Sequence, residues 1–488
     1  MNFAVYEINT RVWIKKFAQN NNNPKLLDVP NNYWKSLVEK GIKYIWLMGI
    51  WKIVPEIIQK ACFVDGLIHE YNLALPDWKP EDIIGSPYSI DNYIINESLA
   101  STNEFIQFKE NLNKLGLKII LDFIPNHFNA ESSLINTNPQ IFLEGDEYLL
   151  SSDKRTYFKA INGKIYAHGK DPYFQAWQDT IQVNYFSQIA QQFMIDSLIN
   201  ITKLCDGVRC DMAMLPMRNV FQNTWSAHTS LSNIDKIEAE FWHNAIANTK
   251  KVKPDFLFIA EAYWDLEWQL QQIGFDFTYD KKMLDRLEFS NAEHVAGHLR
   301  AEQSFQNKSL RFIENHDENR AIIAFGIEKS KAAAVVVTTI QGNTLFYDGQ
   351  FEGKTIRLPL QLGREPIEVV NNSLVKFYDK LLQITKHPVF IYGEWSLLDT
   401  IQLHRDFTNR NILTWQWNLN NDKRIVVVNF SDSDVYCRIK FDIDTSSDKV
   451  ILHDLLNNQE YERNVEEILD DGLFIHLGAY MSHIFELK

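Results

Sequence analysis

Short apolar runs recur through the first two-thirds of this chain, each followed by a longer amphipathic stretch. That alternation restricts the fold more than any other feature. "FAVYEI" (Phe3 to Ile8), "IKYIWLM" (Ile42 to Met48) and "LKIILDFI" (Leu117 to Ile124) are the first such runs. The last is apolar on both faces, as a buried parallel strand is. "YWKSLVEKG" and "TNEFIQFKENLNKLG" lie between them and read as helices stopped by Gly41 and Gly116. The cycle continues through "DGVRCD", "FLFIAE", "FDFTYD", "RFIEN" and "NTLFYD". Eight strands separated by helical stretches predict an α/β chain folded as a (β/α)8 TIM barrel.

One interval breaks the rhythm. Asp122 and Asp211 lie 89 residues apart, far more than one strand-helix unit needs. The excess is polar and loop-rich ("NAESSLINTNPQ", "EGDEYLLSSDKR") and predicts an inserted domain over residues 128–180, after the third strand. The barrel would then occupy 1–127 and 181–390. From 391 to 488 six short β-type runs with polar turns predict an antiparallel β-sandwich domain. The Asn-rich stretch Gln19 to Pro24 reads as a solvated loop.

Four predicted strands end in acids: Asp122, Asp211, Glu261 and Asp317, the last in "ENHDENR". Side chains alternate faces along a strand, so Arg209 and Asp211 share one face while Val208 and Cys210 share the other. A lone strand-end aspartate is usually a turn residue. Four acids converging on one barrel mouth, with Arg209, His127 and His316 beside them, repel one another and cost stability. A cluster kept at that cost points to chemistry. Retaining glycoside hydrolysis needs such a set. One carboxylate attacks the anomeric carbon, and a second protonates the leaving oxygen and later activates water.

Composition excludes several alternatives. A net charge of −14 argues against nucleic acid, whose phosphates need a basic face, and against anionic membrane surfaces. The first residues lack the basic and apolar regions of a secretory signal, and no apolar run approaches membrane-spanning length. Cys205 and Cys210 sit too far apart along an extended strand to pair locally, so a reduced, cytoplasmic protein is expected.

Four segments resemble the four short conserved regions of the α-amylase family, glycoside hydrolase family 13. These are "DFIPNH" (Asp122 to His127), "DGVRCD" (Asp206 to Asp211), "IAEAYW" (Ile259 to Trp264) and "ENHDENR" (Glu314 to Arg320). "GSPYSIDNY" (Gly85 to Tyr93) extends the likeness. The resemblance implies a retaining enzyme that cleaves α-glucosidic bonds in a glucan, glucoside or related oligosaccharide. It implies Asp211 as nucleophile, Glu261 as general acid/base and Asp317 as transition-state stabiliser. His127, His316 and Arg209 would contact the sugar or its nucleophile, Tyr88 would stack on the −1 ring, and Asp122 would support the site. Tyr263, Trp177 and Arg320 are further substrate-binding candidates. Trp51, Trp78, Tyr173, Trp264 and Trp268 could also line subsites.

The likeness departs from many amylases after the nucleophile. Asp211 is followed by "MAMLPMR", where those enzymes carry a Lys-His pair. No cofactor or catalytic metal is expected. For a structural calcium, Asn126, Asp171 and Asp179 form an incomplete set. Met212 and Met214 would pack in the core or wall the aglycone side. A transglycosylase or phosphorylase of the same family would use the same acids and pass the sugar to another sugar, a small alcohol or phosphate. Lys170, Arg218 and Arg320 would be the cations near such an acceptor. A non-catalytic glycan-binding barrel is the remaining alternative, against which the complete set of acids argues. Starch, maltodextrin, sucrose, trehalose and glucosylated osmolytes all fit the −1 machinery.

Overall fold

Eight parallel strands close into a barrel in chain order: β1 (Ala4–Asn9), β2 (Ile42–Met48), β3 (Lys118–Phe123), β4 (Gly207–Cys210), β5 (Leu257–Ala260), β6 (Phe277–Tyr279), β7 (Ser309–Arg311) and β8 (Asn343–Tyr347), which pairs back onto β1. The structure is a computed structural model and describes residues 2–18, 23–228, 240–443 and 447–487. Most of the Asn-rich stretch, residues 19–22, lies outside them. The fold class agrees with the sequence reading. Strand bounds shift by a few residues: "RFIEN" contributes only its first residue to β7, and the chain from Phe312 to Asp317 is already loop.

The helix Thr102–Lys114 illustrates the local logic. Ser101 Oγ accepts the Glu104 N–H at 3.3 Å, and the Glu104 carboxylate accepts the Ser101 N–H at 2.7 Å. This capping box satisfies two of the donors a helix start leaves open. Phe105, Phe108 and Leu112 form its buried face. Gly116 ends the turn with φ +87°, a conformation glycine adopts without strain.

Between β3 and β4 the chain forms two small antiparallel pairs, His127–Asn129 with Thr180–Gln182 and Tyr157–Lys159 with Ile165–Ala167. After the barrel come a six-stranded and a three-stranded antiparallel sheet. Their strands at Glu394–Leu397, Thr400–Gln402 and Gln459–Asn464 were not legible as β-type runs; the third is polar on both faces. Trp415 and Trp417 tie this region to the barrel. Both indole N–H groups donate to the Thr339 carbonyl, at 2.8 and 2.6 Å, at the open end of the helix Ile327–Thr339.

A buried ion cluster stands at the loop after β6. The Asp280 carboxylate takes Arg311 Nε at 3.1 Å and His298 Nε2 at 2.9 Å. Burial works against its charge, but His298 and Arg311 outweigh burial and hold Asp280 down at about 2.

Candidate active site

The barrel register brings the acids together. β4 pairs with β3 so that Arg209 lies opposite Asp122, and with β5 so that Arg209 lies opposite Ile259. Asp211 and Glu261 therefore leave neighbouring strand ends. Gly207 makes the close β4–β5 approach feasible: a Cβ there would lie 2.6 Å from Leu257 Cβ.

Arg209 is the centre of the cluster, with its side chain only 1% exposed. Nη1 donates to Asp211 Oδ1 at 2.7 Å and, more weakly, to Asp122 Oδ1 at 3.4 Å. Nη2 lies 2.8 Å from Glu261 Oε2, an ion pair without hydrogen-bond alignment. Nε donates to the Tyr279 hydroxyl at 3.3 Å. The guanidinium also faces the rings of Trp46, Tyr88 and Tyr279, at 5.1, 5.3 and 5.7 Å. One cation thus serves three carboxylates.

Glu261 is held from both sides. Its Oε2 accepts the Met212 N–H at 2.6 Å, and its Oε1 accepts the Tyr263 hydroxyl at 2.9 Å. Met212 sits at φ +42°, a left-handed conformation that a side chain adopts only against strain, and this turn aims its N–H at the acid. Burial pushes Glu261 up to about 7, with Arg209 opposing and Asp211 adding repulsion. Burial likewise pushes Asp122 up to about 7 against Arg209. Asp211 is also raised by burial against the same arginine. Asp122 is further fixed by Trp46 Nε1, which donates to its Oδ2 at 3.1 Å.

His316 and Asp317 close the opposite side. His316 Nε2 is 2.9 Å from the Tyr88 hydroxyl and 3.0 Å from Asp317 Oδ2, and its ring stacks on Tyr88. Its Nδ1 lies 2.5 Å from Glu7 Oε1. Asp317 is 40% exposed, against 10% for Asp211 and 4% for Glu261, so it borders the open side.

His127 packs against Trp177, ring centroids 5.3 Å apart. Burial lowers His127 to about 4 although Asp179 pulls it up, so its imidazole is neutral near pH 7. Tyr173, two-thirds exposed, meets Trp264 edge-on at 5.0 Å.

Other candidates lie elsewhere. Arg320 turns away from the acids: Nη1 lies 2.9 Å from the buried Glu314, Nη2 donates to the Asp348 carbonyl, and the guanidinium covers Tyr347. It is held by the need to compensate Glu314, not offered to a sugar. Trp51 is buried and donates to the Asp122 carbonyl, Trp78 packs on Tyr71, and Trp268 packs on Phe305. Met214 is fully buried core, whereas Met212 is half-buried beside Glu261. Lys170 sits over Trp225. The candidate calcium oxygens are committed: Asn126 Oδ1 to Gln182, Asp171 Oδ1 to the Tyr173 and Phe174 N–H groups, while Asp179 faces His127. These residues do not fit a calcium cradle. All four cysteines are free and buried, and no helix among the described residues is long and apolar enough to cross a membrane.

Sequence reasoning missed Glu7, Trp46 and Tyr279, which enclose the cluster from β1, β2 and β6. The signal for Glu7 was present. It is the one charge inside "AVYEIN", a strand otherwise apolar but for its last residue.

A parallel barrel with an acid cluster at the C-terminal ends of its strands defines the class of barrel enzymes whose chemistry sits at that face. Within that class the chain belongs to the α-amylase family: the family's catalytic domain, "Alpha amylase, catalytic domain", matches residues 37–372. Alpha-amylase MalA of Haloarcula japonica is 22% identical over 70% of this chain and 47% of its own length. Alpha-amylase 2 of Dictyoglomus thermophilum is 25% identical over 63% and 53%. The chain thus spans about half the length of these curated relatives. The noncanonic maltogenic α-amylase AmyB of Thermotoga neapolitana shares the fold at TM-score 0.69 and 20% identity, covering 99% of this chain and 98% of that one.

Proposed function

We propose that this chain cleaves α-glucosidic bonds with retention, through a covalent glycosyl-Asp211 intermediate. The observation that carries this reading is the single Arg209 guanidinium shared by Asp211 and Glu261. Two carboxyls on one fork favour the separation of ~5–5.5 Å that retaining enzymes use over the ~6.5–9.5 Å that leaves room for a water.

The roles follow from which oxygens are free. Asp211 Oδ1 is held by Arg209, so Oδ2 attacks the anomeric carbon. Glu261 Oε2 is occupied by Arg209 and the Met212 N–H, so the transferable proton belongs on Oε1. The Tyr263 hydroxyl at Oε1 can donate to the carboxylate and accept from the acid, which suits a group that alternates between the two. A group near pKa 7 can do both jobs at neutral pH. Proton transfer from Oε1 releases the leaving oxygen, and Oε1 later takes a proton from the attacking water. His127, Tyr88, His316 and Asp317 would hold the ring, with Trp177 behind His127. The relatives named α-amylase suggest an α-glucan as substrate.

Asp211→Asn should abolish turnover of α-glucans while the protein remains folded, and the wild type should release the α-anomer first, read by NMR during early hydrolysis. A β-anomer as first product would overturn the mechanism. Repeating the assay with phosphate or excess sugar acceptor separates hydrolysis from transfer.

A further inference from the structure

Both ring nitrogens of His316 face carboxylates. Nδ1 meets Glu7 Oε1 at 2.5 Å and Nε2 meets Asp317 Oδ2 at 3.0 Å. A neutral imidazole has one N–H, so one of these contacts would set a nitrogen lone pair against a carboxylate lone pair. Glu7 is 0% exposed and its Oε2 has no partner, so without a cation it is an isolated buried charge. The groups around the ring favour positive charge there. Glu7 reaches it from β1 and Asp317 from its own loop, while the Tyr88 hydroxyl, from the loop after β2, can accept from Nε2 of the charged ring or donate to it when neutral and so does not decide. Asp122 at the end of β3 and Asp211 after β4 add negative charge, and Arg209 is the opposing cation. Trp46 of β2 covers the ring edge-on at 5.4 Å and contributes no charge.

We propose that Glu7 is a positioning residue that keeps His316 as an imidazolium, so that one charged ring orients Asp317 and presents a cationic face to the −1 sugar. Glu7 touches no substrate. It acts through the histidine, from within β1, and the register places it opposite Trp46 and Tyr347 on the flanking strands. Burial alone would lower His316, but Asp317 and Glu7 outweigh burial and hold it well above the ordinary histidine range, in line with this geometry. The catalytic consequence rests on the reading of Asp317 as the acid that grips the sugar; the protonation state of His316 does not.

The direct test is 15N NMR of histidine-labelled protein at pH 8, with the His316 signals assigned by their loss in His316→Asn. An ordinary histidine, with pKa about 6.5, is neutral there. His316 should show two protonated nitrogens in the wild type. Glu7→Gln, which removes the charge at constant shape, should lower its titration midpoint by about 1–3 units. Glu7→Asp should retain most of the elevation. On an α-glucan, the alkaline limb of kcat/KM, set by Glu261 in the wild type, should steepen or move down in Glu7→Gln once the His316 midpoint falls into the range of Glu261. A wild-type His316 with one bare nitrogen at pH 8 means that the proton rests on Glu7 or is absent, and overturns the proposal, whether or not any variant folds. A Glu7→Gln enzyme whose His316 midpoint falls to that of Glu261 or below while its pH profile stays put overturns the catalytic role. Failure of the wild type to cleave any α-glucan refutes the proposed function and leaves the NMR result standing on its own.

Discussion

Arg209→Met removes the cation that three buried acids share, and its effect should grow with pH. Asp122, Asp211 and Glu261 are 3%, 10% and 4% exposed, so none can turn to water for compensation. Removing one partner of a buried pair costs about 3–5 kcal/mol, because charge is left uncompensated. The acids escape part of that cost by taking up protons. Asp122 and Glu261 already sit at about 7 with Arg209 present, and Arg209 is a lowering influence on both. Without it they rise further. An acid whose folded pKa exceeds its unfolded value of about 4 stabilises the fold when protonated, and loses that contribution as pH rises through the folded pKa. At pH 5 the variant's acids are protonated and neutral, and methionine fills the space of the guanidinium stem. At pH 8 they are forced toward charge without a partner. The thermal midpoints of wild type and variant should therefore lie close at pH 5 and separate at pH 8, by several degrees, as a loss of about 3 kcal/mol implies. Calorimetry or far-UV dichroism at the two pH values reads the difference. Equal destabilisation at both, or a larger gap at pH 5, would refute the view that Arg209 acts as the shared counter-ion.

Glu261→Gln should cut kcat by about 10²–10⁴-fold on a natural glucan, and much less on an α-glucosyl fluoride, whose leaving group needs no proton. Equal loss on both substrates would remove Glu261 from the acid role. Tyr263→Phe deletes the donor at Oε1, and loss of a hydrogen bond to the charged form raises Glu261 further. The alkaline limb of the kcat profile should move to higher pH, and an unchanged limb counts against the contact. Asp280→Asn should cost about 3–5 kcal/mol at pH 7, since Arg311 and His298 would lose their buried anion. Because Asp280 is held at about 2, that contribution is present above pH ~4 and lost as pH falls toward 2, so urea midpoints of the two proteins should converge at low pH. Trp177→Ala should raise KM more than it lowers kcat, since Trp177 supports His127 rather than the reacting acids.

The legible part of this chain is the part where one residue's face follows from its neighbours. Arg209 and Asp211 could be set toward the barrel interior because strand alternation does not depend on what lies across the barrel. The same alternation predicts that Val208 and Cys210 pack outward, and both are fully buried. What escaped was contact across the barrel. His316 and Glu7 are 309 residues apart, and nothing in either segment names the other. Their pairing depends on β8 returning to β1, which a strand count predicts without giving register. Arg320 failed for a related reason. It stands three residues after Asp317 in a motif rich in charge, yet its direction is set by Glu314, whose own burial is a tertiary fact. The charges in "ENHDENR" are answered partly within the motif and partly from outside it: Glu314 by Arg320, Asp317 by His316, His316 also by Glu7 on β1, and Glu318 by Lys281 after β6. The motif therefore shows that charge will be buried at this strand end. Which of these charges stays open to the barrel mouth is decided by burial as well as by partners: Arg320, enclosed with Glu314, is turned away, whereas Asp317 keeps an exposed face beside His316.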